Sequence, residues 1–135
     1  MFSFKVDGKP IAKARPRVAR NGVIYTPKTT QDAERRIRDA FLEAVEHSDY
    51  EFDEGSVCVN IDFIFAPPKS TTKARAKTII GEPRPKKPDV DNLCKTVLDA
   101  LNGFAWDDDN QVTHLSARKV YGTEDSTIVT IEELR

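Results

Sequence analysis

Acidic side chains are concentrated in two short stretches of the second half of the chain. Asp89 and Asp91 lie two positions apart at the start of an apolar helical pattern, and Asp107-Asp108-Asp109 lie directly before a predicted strand. Neighbouring carboxylates repel one another unless a cation binds them. Oxygen ligands of this kind suit Mg²⁺ or Mn²⁺, with water and substrate phosphate completing the coordination. The two stretches therefore predict a site for a divalent metal.

A metal held by such carboxylates can support phosphodiester hydrolysis, because it binds phosphate oxygens and lowers the pKa of an attacking water. Lys95 follows one turn into the predicted helix, and a lysine at this place is able to orient that water or to neutralise charge on the phosphate. Two simpler interpretations stay open. Asp91 would only cap the helix, and Lys95 would only form a salt bridge with Asp91 or Asp99. The candidate metal ligands are Asp89, Asp91, Asp108 and Asp109.

Other kinds of catalytic or metal site fit the sequence poorly. An EF-hand calcium loop beginning at Asp107 would need glycine where Val112 stands and glutamate where Arg118 stands. His47 and His114, the only histidines, lie in no recognisable nucleophile setting. A phosphotransferase or nucleotide hydrolase is disfavoured because the sequence has no GxxxxGK[ST] loop.

Basic residues are segregated from acidic ones although the formal net charge is only -1. Residues 5–28 and residues 69–87 are both rich in lysine and arginine, with Asp7 and Glu82 as their only acids. Blocks of one sign are often merely solvated faces. Here the second block ends just before Asp89, which favours a polyanionic substrate such as DNA. The predicted phosphate contacts are Lys13, Arg15, Arg17, Arg20, Lys73, Arg75, Lys86 and Lys87.

Period-two alternation predicts strands at about residues 2–6, 57–65, 111–121 and 126–134, and helical spacing predicts two principal helices at about 30–46 and 91–102. Turn signals predict a tight turn at Asp7-Gly8 and a short arginine-bearing hairpin around Asn21-Gly22. The proline-punctuated segment 69–88 should be partly mobile, with one or two helical turns. These elements predict one α/β (α+β mixed) domain over residues 1–135, built on a mixed sheet.

Composition bounds the class of protein. A chain of 135 residues with 39% hydrophobic residues can bury one core. Cys58 and Cys94 are expected to be buried, reduced thiols.

Phe104 and Trp106 are expected to pack in the core, with stacking on an opened base as the alternative. No apolar run approaches the roughly 18 residues of a membrane span, and no leader pattern is visible, so we expect a cytoplasmic protein.

Two motifs resemble those of a known family. KPDVDNLCKTVLDALNG followed by WDDDNQV is similar to the signature of the RusA-type Holliday-junction resolvases, and ARPRVARNGVIYTP resembles that family's arginine-rich segment. The resemblance covers most of the chain and implies a RusA-like fold. It also implies a homodimer that nicks opposed strands of branched, four-way DNA with Mg²⁺ and no small-molecule cofactor. Residue by residue, it implies Asp89, Asp91 and Asp109 as metal ligands, with Asp108 able to replace or assist Asp109, and Lys95 as needed for cleavage.

A second function remains compatible with the same features. A DNA-junction-binding protein without catalysis would keep the fold and the basic faces but would not bind metal productively. Asp89→Asn would leave the function of such a protein intact.

Overall fold

The computed structural model describes residues 1–51 and 54–134, and its centre is a four-stranded mixed sheet. The elements in chain order are β1 (Phe2–Asp7), β2 (Arg17–Val18), β3 (Ile24–Tyr25), α1 (Lys28–Glu46), β4 (Ser56–Phe65), α2 (Lys73–Ile79), α3 (Val90–Leu101), a 3-10 helix (Asp109–Gln111), β5 (Val112–Tyr121) and β6 (Ser126–Leu134). The predicted mixed α/β architecture with two principal helices is confirmed.

The strand order of the sheet is β1-β6-β4-β5. β6 runs antiparallel to both β1 and β4, whereas β4 and β5 are parallel. A parallel pair needs a crossover connection, and α2 and α3 lie within the one between β4 and β5. The sheet therefore brings the end of the acidic loop, which precedes β5, beside the helix that precedes that loop.

The hydrophobic core lies between the sheet and the two long helices. Alternate residues of β4, including Val59 and Phe63, are buried, and Phe41 of α1 with Leu93 and Val97 of α3 belong to the same cluster. This alternation is what a strand with one covered face requires. The opposite face of β4 is more exposed.

The cysteine prediction is correct for only one of the two residues. Cys94 is buried on α3, whereas Cys58 lies on the less covered face of β4 and is only half-buried. Both thiols are free. Cys58 differs because its place in the β4 alternation turns its side chain away from the helices.

Helix α3 begins one residue earlier than the sequence suggested. Asp89 is the N-cap, with extended backbone angles, and Asp91 lies in the first helical turn. The predicted start near residue 91 is therefore confirmed to within one residue, but the interpretation of Asp91 as the helix cap is wrong, because Val90 already has helical geometry and Asp89 takes the cap position. The helix ends at Leu101, close to Gly103, whose φ of 80° favours glycine.

The basic segment between β4 and α3 is tied to the sheet along part of its length. Its helix α2 is capped by Thr72, whose hydroxyl accepts a hydrogen bond from the Arg75 amide. Residues 81–84 then run beside the end of β5: the Gly81 amide donates to the Tyr121 carbonyl at 2.8 Å, and the Arg84 amide donates to the Lys119 carbonyl at 3.0 Å. This segment covers the C-terminal end of the β5 edge, at residues 119–121.

The two predicted turns have different outcomes. The hairpin around Asn21-Gly22 is confirmed as the β2–β3 pair. At Asp7-Gly8 the chain bends, with a φ of 107° at Gly8, but it does not turn back to pair with β1, because β1 pairs with β6 and the Gly8 amide donates to the Asp125 carbonyl. Across the described residues, 1–51 and 54–134, we find no helix with the length and apolar character needed to cross a membrane.

Candidate active site

An open cleft of about 520 Å³ lies between α3, the acidic loop and β5. Its charged lining consists of Asp91, Lys95, Asp99 and Asp109. The three α3 residues are spaced by four positions, so they lie along one face of the helix. The structure thus brings together Asp91, Lys95 and Asp109, three of the residues that the sequence singled out. The remaining lining residues are Val90, Cys94, Leu98, Leu115 and Ala117.

Asp109 is oriented by a buried tryptophan. The Trp106 indole Nε1 donates a hydrogen bond of 2.8 Å to Asp109 Oδ1, and Trp106 itself is fully buried. The predicted core position of Trp106 is confirmed, and its N–H fixes the carboxylate at the edge of the cleft.

The electrostatic surroundings of Asp109 disfavour its charged form. Burial raises the pKa of this carboxyl, the hydrogen bond from Trp106 lowers it, and the negative charges of Asp99 and Asp108 raise it. The pKa is raised overall. A cation in the cleft would offset these effects, because it stabilises the ionised carboxylate.

The three successive aspartates of the acidic loop have different surroundings. Asp108 is the N-cap of the 3-10 helix, and its carboxylate accepts from the Asn110 amide at 3.4 Å within a capping box completed by Gln111. Asp109 is the member of the trio that lines the cleft. The backbone amides of Asp107 and Asp108 both donate to the Gln111 side chain, which holds the loop together.

Asp89 lies at the N-terminus of α3, outside the lining of the cleft. Its exposed carboxylate makes no capping hydrogen bond to the helix. The chain before it is held by Lys119, whose Nζ donates to the Lys86 and Pro88 carbonyls at 2.6 and 2.8 Å. The sequence offered no local signal for this bracing role of Lys119, since it depends on the pairing of distant segments.

Lys95 projects from α3 as an exposed side chain. Within the described ranges 1–51 and 54–134, no carboxylate oxygen lies within 4.0 Å of the Lys95 ammonium. The simple salt bridge to Asp91 or Asp99 is therefore absent there. Its ammonium is available to a ligand in the cleft.

Asp99 is paired with Lys13 instead. Lys13 Nζ lies 3.2 Å from Asp99 Oδ2 and 2.6 Å from Glu34 Oε1, and only 18% of the lysine side chain is exposed. Burial lowers the pKa of Lys13, but the hydrogen bonds and charges of Glu34 and Asp99 raise it above the ordinary value overall. Lys13 was predicted to contact phosphate. In the structure its ammonium already has two carboxylate partners, and a phosphate contact would have to compete with them.

The other predicted phosphate contacts are all exposed and lie on three segments: the hairpin and its approach, α2, and the loop before α3. They are Arg15, Arg17, Arg20, Lys73, Arg75, Lys86 and Lys87. Phe104 was expected in the core, but this prediction is wrong: its side chain is 42% exposed and packs against the guanidinium of Arg38, which lies 4.5 Å from the ring centre.

The carboxylates of the cleft are of the type that Mg²⁺ takes when water and substrate phosphate supply its remaining ligands. Within residues 1–51 and 54–134, no three His, Cys, Asp or Glu side chains are close enough together to hold a metal by themselves. Mg²⁺ is usually bound by one or two carboxylates, several waters and substrate phosphate, so a full protein cage is not needed. Asp91 and Asp109, which both line the cleft, are the residues that could hold such an ion there.

Comparison with known proteins identifies the family. Residues 7–132 match the family described as "Endodeoxyribonuclease RusA". The chain belongs to the RusA family. It is also 35% identical over 138 residues to the "Uncharacterized protein YqaN" of Bacillus subtilis (strain 168), and the match covers 98% of this chain and 96% of that protein. Membership of the RusA family supports a nuclease acting on DNA, and the mixed α/β fold is consistent with it.

Proposed function

We propose that this RusA-family chain is a Mg²⁺-dependent, structure-specific endonuclease that resolves four-way DNA junctions by paired symmetric nicks. The whole chain acts as one endonuclease domain. The observation that supports this most strongly is the cleft in which Asp91, Lys95 and Asp109 lie together, within a chain that matches the RusA family over residues 7–132.

Asp91 and Asp109 would hold the metal in the cleft, with Asp89 as a further ligand from the start of α3 and the Asp108 charge in support. Mn²⁺ offers the same coordination chemistry and should substitute. When bound, the metal would lower the pKa of the attacking water and neutralise charge on the scissile phosphate.

The protein's own groups orient the reacting atoms. Trp106 fixes the direction of the Asp109 carboxylate through its 2.8 Å hydrogen bond. Lys95, whose ammonium has no carboxylate partner in the described part of the chain, donates to a phosphate oxygen as negative charge develops there. Lys13 neutralises Asp99 and so limits the repulsion between the cleft and a phosphate group.

Recognition of branched DNA requires a second copy of the chain. A four-way junction presents two equivalent strands, and a two-fold homodimer presents two equivalent active sites. Phosphate contacts from the exposed lysines and arginines position the junction without reading its sequence. Shape selectivity then depends on the distance between the two clefts.

A junction-binding protein without catalysis is the alternative from another class. Such a protein would use the same exposed basic side chains. It would have no need for a fixed Asp109 carboxylate or for a lysine without an ion pair at position 95. The hydrogen bond from the buried Trp106 to Asp109 favours catalysis, because it fixes the direction of a carboxylate whose pKa burial raises.

The test is cleavage of a strand-labelled synthetic four-way junction, compared with linear duplex of the same sequence, in Mg²⁺ or EDTA. The proposal predicts paired symmetric nicks in the junction only, and only with Mg²⁺. Tight junction binding with no nicks in Mg²⁺ or Mn²⁺ would establish the non-catalytic alternative. Equal cleavage of linear duplex would contradict structure specificity.

A further inference from the structure

The β2–β3 hairpin exposes apolar side chains in an otherwise basic segment. Val18 is 68% exposed and Ile24 is 69% exposed, which places them among the most exposed large apolar residues of the described chain. Exposed apolar surface on a projecting element commonly marks a binding site. The folding of the chain does not explain why Val18 and Ile24 are apolar, whereas a role of the hairpin as a binding surface would explain it.

The register of the hairpin separates two faces. Val18 pairs with Ile24, and Arg17 pairs with Tyr25. Directly opposed residues of an antiparallel pair lie on the same face, and neighbouring residues along a strand lie on opposite faces. One face of the ribbon is thus aliphatic, and the other carries an arginine and a tyrosine.

The ribbon is closed by a turn that is specified locally. The Ala19 amide donates to the Val23 carbonyl at 2.8 Å, and the Gly22 amide donates to the Ala19 carbonyl at 2.9 Å. Gly22 has a φ of 83°, and the Asn21 side chain accepts from the Val23 amide. These bonds shape the turn without support from the rest of the protein.

The base of the hairpin is fixed beside the candidate active site. The Lys13 amide donates to the Asn92 carbonyl at 2.9 Å, one residue after Asp91, and the Ala14 amide donates to Thr30 Oγ1 at 3.2 Å. On the other strand, Gln31 Nε2 donates to the Thr26 carbonyl at 2.6 Å. A ligand held by the hairpin is therefore held close to the cleft.

The charge around the hairpin selects a polyanion. Residues 8–31 contain no aspartate or glutamate, and Arg15, Arg17 and Arg20 are exposed. A two-stranded ribbon has the dimensions to enter a DNA groove. Aliphatic side chains make no hydrogen bonds to base edges, but proteins insert such side chains between bases that have lost their stacking.

We propose that the hairpin of residues 17–25 is a wedge that engages unstacked bases at the branch point of DNA. Val18 and Ile24 pack against the opened bases while Arg17 and Arg20 contact the flanking phosphates. This inference rests on the proposed function, since it assumes a branched DNA substrate, and it assigns the recognition of opened bases to the hairpin.

The test uses a four-way junction with 2-aminopurine at the branch point and a second junction with 2-aminopurine inside one arm. Both are bound in EDTA, so the readout does not depend on cleavage. Wild-type protein should raise the fluorescence at the branch severalfold and leave the arm unchanged. At protein concentrations that saturate both junctions, the double substitution Val18→Ser and Ile24→Ser should abolish the rise, because the apolar side chains that hold the opened bases are gone while Arg17 and Arg20 still bind the phosphates.

The matched control is the double substitution Leu42→Ser and Ile80→Ser, which changes two exposed apolar residues outside the hairpin. This variant should give the wild-type rise. Equal fluorescence in wild type and the hairpin variant would overturn the proposal. A hairpin variant that sediments as monomer beside a dimeric wild type would also overturn it, because the apolar face would then bind a second copy. Failure of wild type to bind any junction would contradict the proposed function itself.

Discussion

The candidate cleft and the β2–β3 hairpin support their side chains in opposite ways. The cleft residues are held in place by the core. Leu93 and Val97 anchor α3 in the core, and the fully buried Trp106 fixes the Asp109 carboxylate by a hydrogen bond. The hairpin side chains are exposed and depend on the hairpin's own turn. Chemistry requires fixed positions, whereas phosphate binding requires charge and reach. The cleft should therefore set the rate of cleavage, and the hairpin should set affinity for DNA.

The largest expected effect comes from Asp91→Asn. The change removes a charge from the cleft but keeps the side-chain shape, and Asp89 rather than Asp91 occupies the N-cap. The single-turnover cleavage rate should fall by roughly 100- to 1,000-fold, because a group that stabilises the transition state is lost. Junction affinity in EDTA should not weaken.

Asp107→Asn is the matched control for this prediction. Asp107 belongs to the acidic loop but is exposed and lies outside the cleft lining. Its rate should stay close to wild type. If Asp91→Asn and Asp107→Asn slowed cleavage equally, the rate would depend on the total negative charge of the region and not on the carboxylate in the cleft.

Lys95→Met should lower the cleavage rate by roughly 100-fold through loss of a charged donor to the phosphate. KM should change little, since one exposed lysine adds little to a large DNA interface. Lys95→Arg, which keeps the charge, should recover part of the rate. Loss of affinity with an unchanged kcat would instead make Lys95 a simple phosphate contact.

Lys13→Met tests the ion pairs that join the N-terminal segment to α1 and α3. It leaves Glu34 and Asp99 without their cation, so the free energy of unfolding in urea should fall by about 1–2 kcal/mol. Lys9→Met, at a nearby exposed lysine, should have little effect. Because the pKa of Lys13 is raised, its stabilising contribution is fully present between neutral pH and the ordinary lysine value of 10.5, and it is lost as pH rises through the folded-state pKa. The destabilisation should therefore be the same at about pH 6 and about pH 8.

Arg17→Ala should have the smallest effect of the series. Junction affinity should fall a few-fold, and the slope of log affinity against log salt should decrease by about one, as expected for one lost phosphate contact. The single-turnover rate at saturating protein should be unchanged. A large drop in that rate would show that the hairpin also positions the scissile phosphate.

Local patterns in the sequence predicted most of the secondary structure. The strands β4 and β6, helix α1 and the hairpin follow from alternation, helical spacing and the Asn21-Gly22 turn signal. The grouping of Asp91 with Lys95 was also readable, because residues four apart share a helix face.

The details that the sequence missed depend on contacts between distant segments. Lys13 was predicted to bind phosphate because it lies in the arginine-rich segment. In the structure it forms ion pairs with Glu34 and Asp99, which come from two different helices. Phe104 looked like a core residue, but Arg38 of α1 covers it outside the core. Strand order likewise depends on which distant edges pair, and no local pattern specifies that.

The distinction between Asp108 and Asp109 is the most direct test of the cleft. The two are adjacent in sequence, but Asp108 caps the 3-10 helix and Asp109 lines the cleft. Asparagine caps well, so Asp108→Asn keeps its structural role. The single-turnover rate in Mg²⁺ should fall by roughly 100- to 1,000-fold in Asp109→Asn and by less than about 10-fold in Asp108→Asn. A wild-type rate in Asp109→Asn, or a larger loss in Asp108→Asn, would contradict the placement of the active site in this cleft.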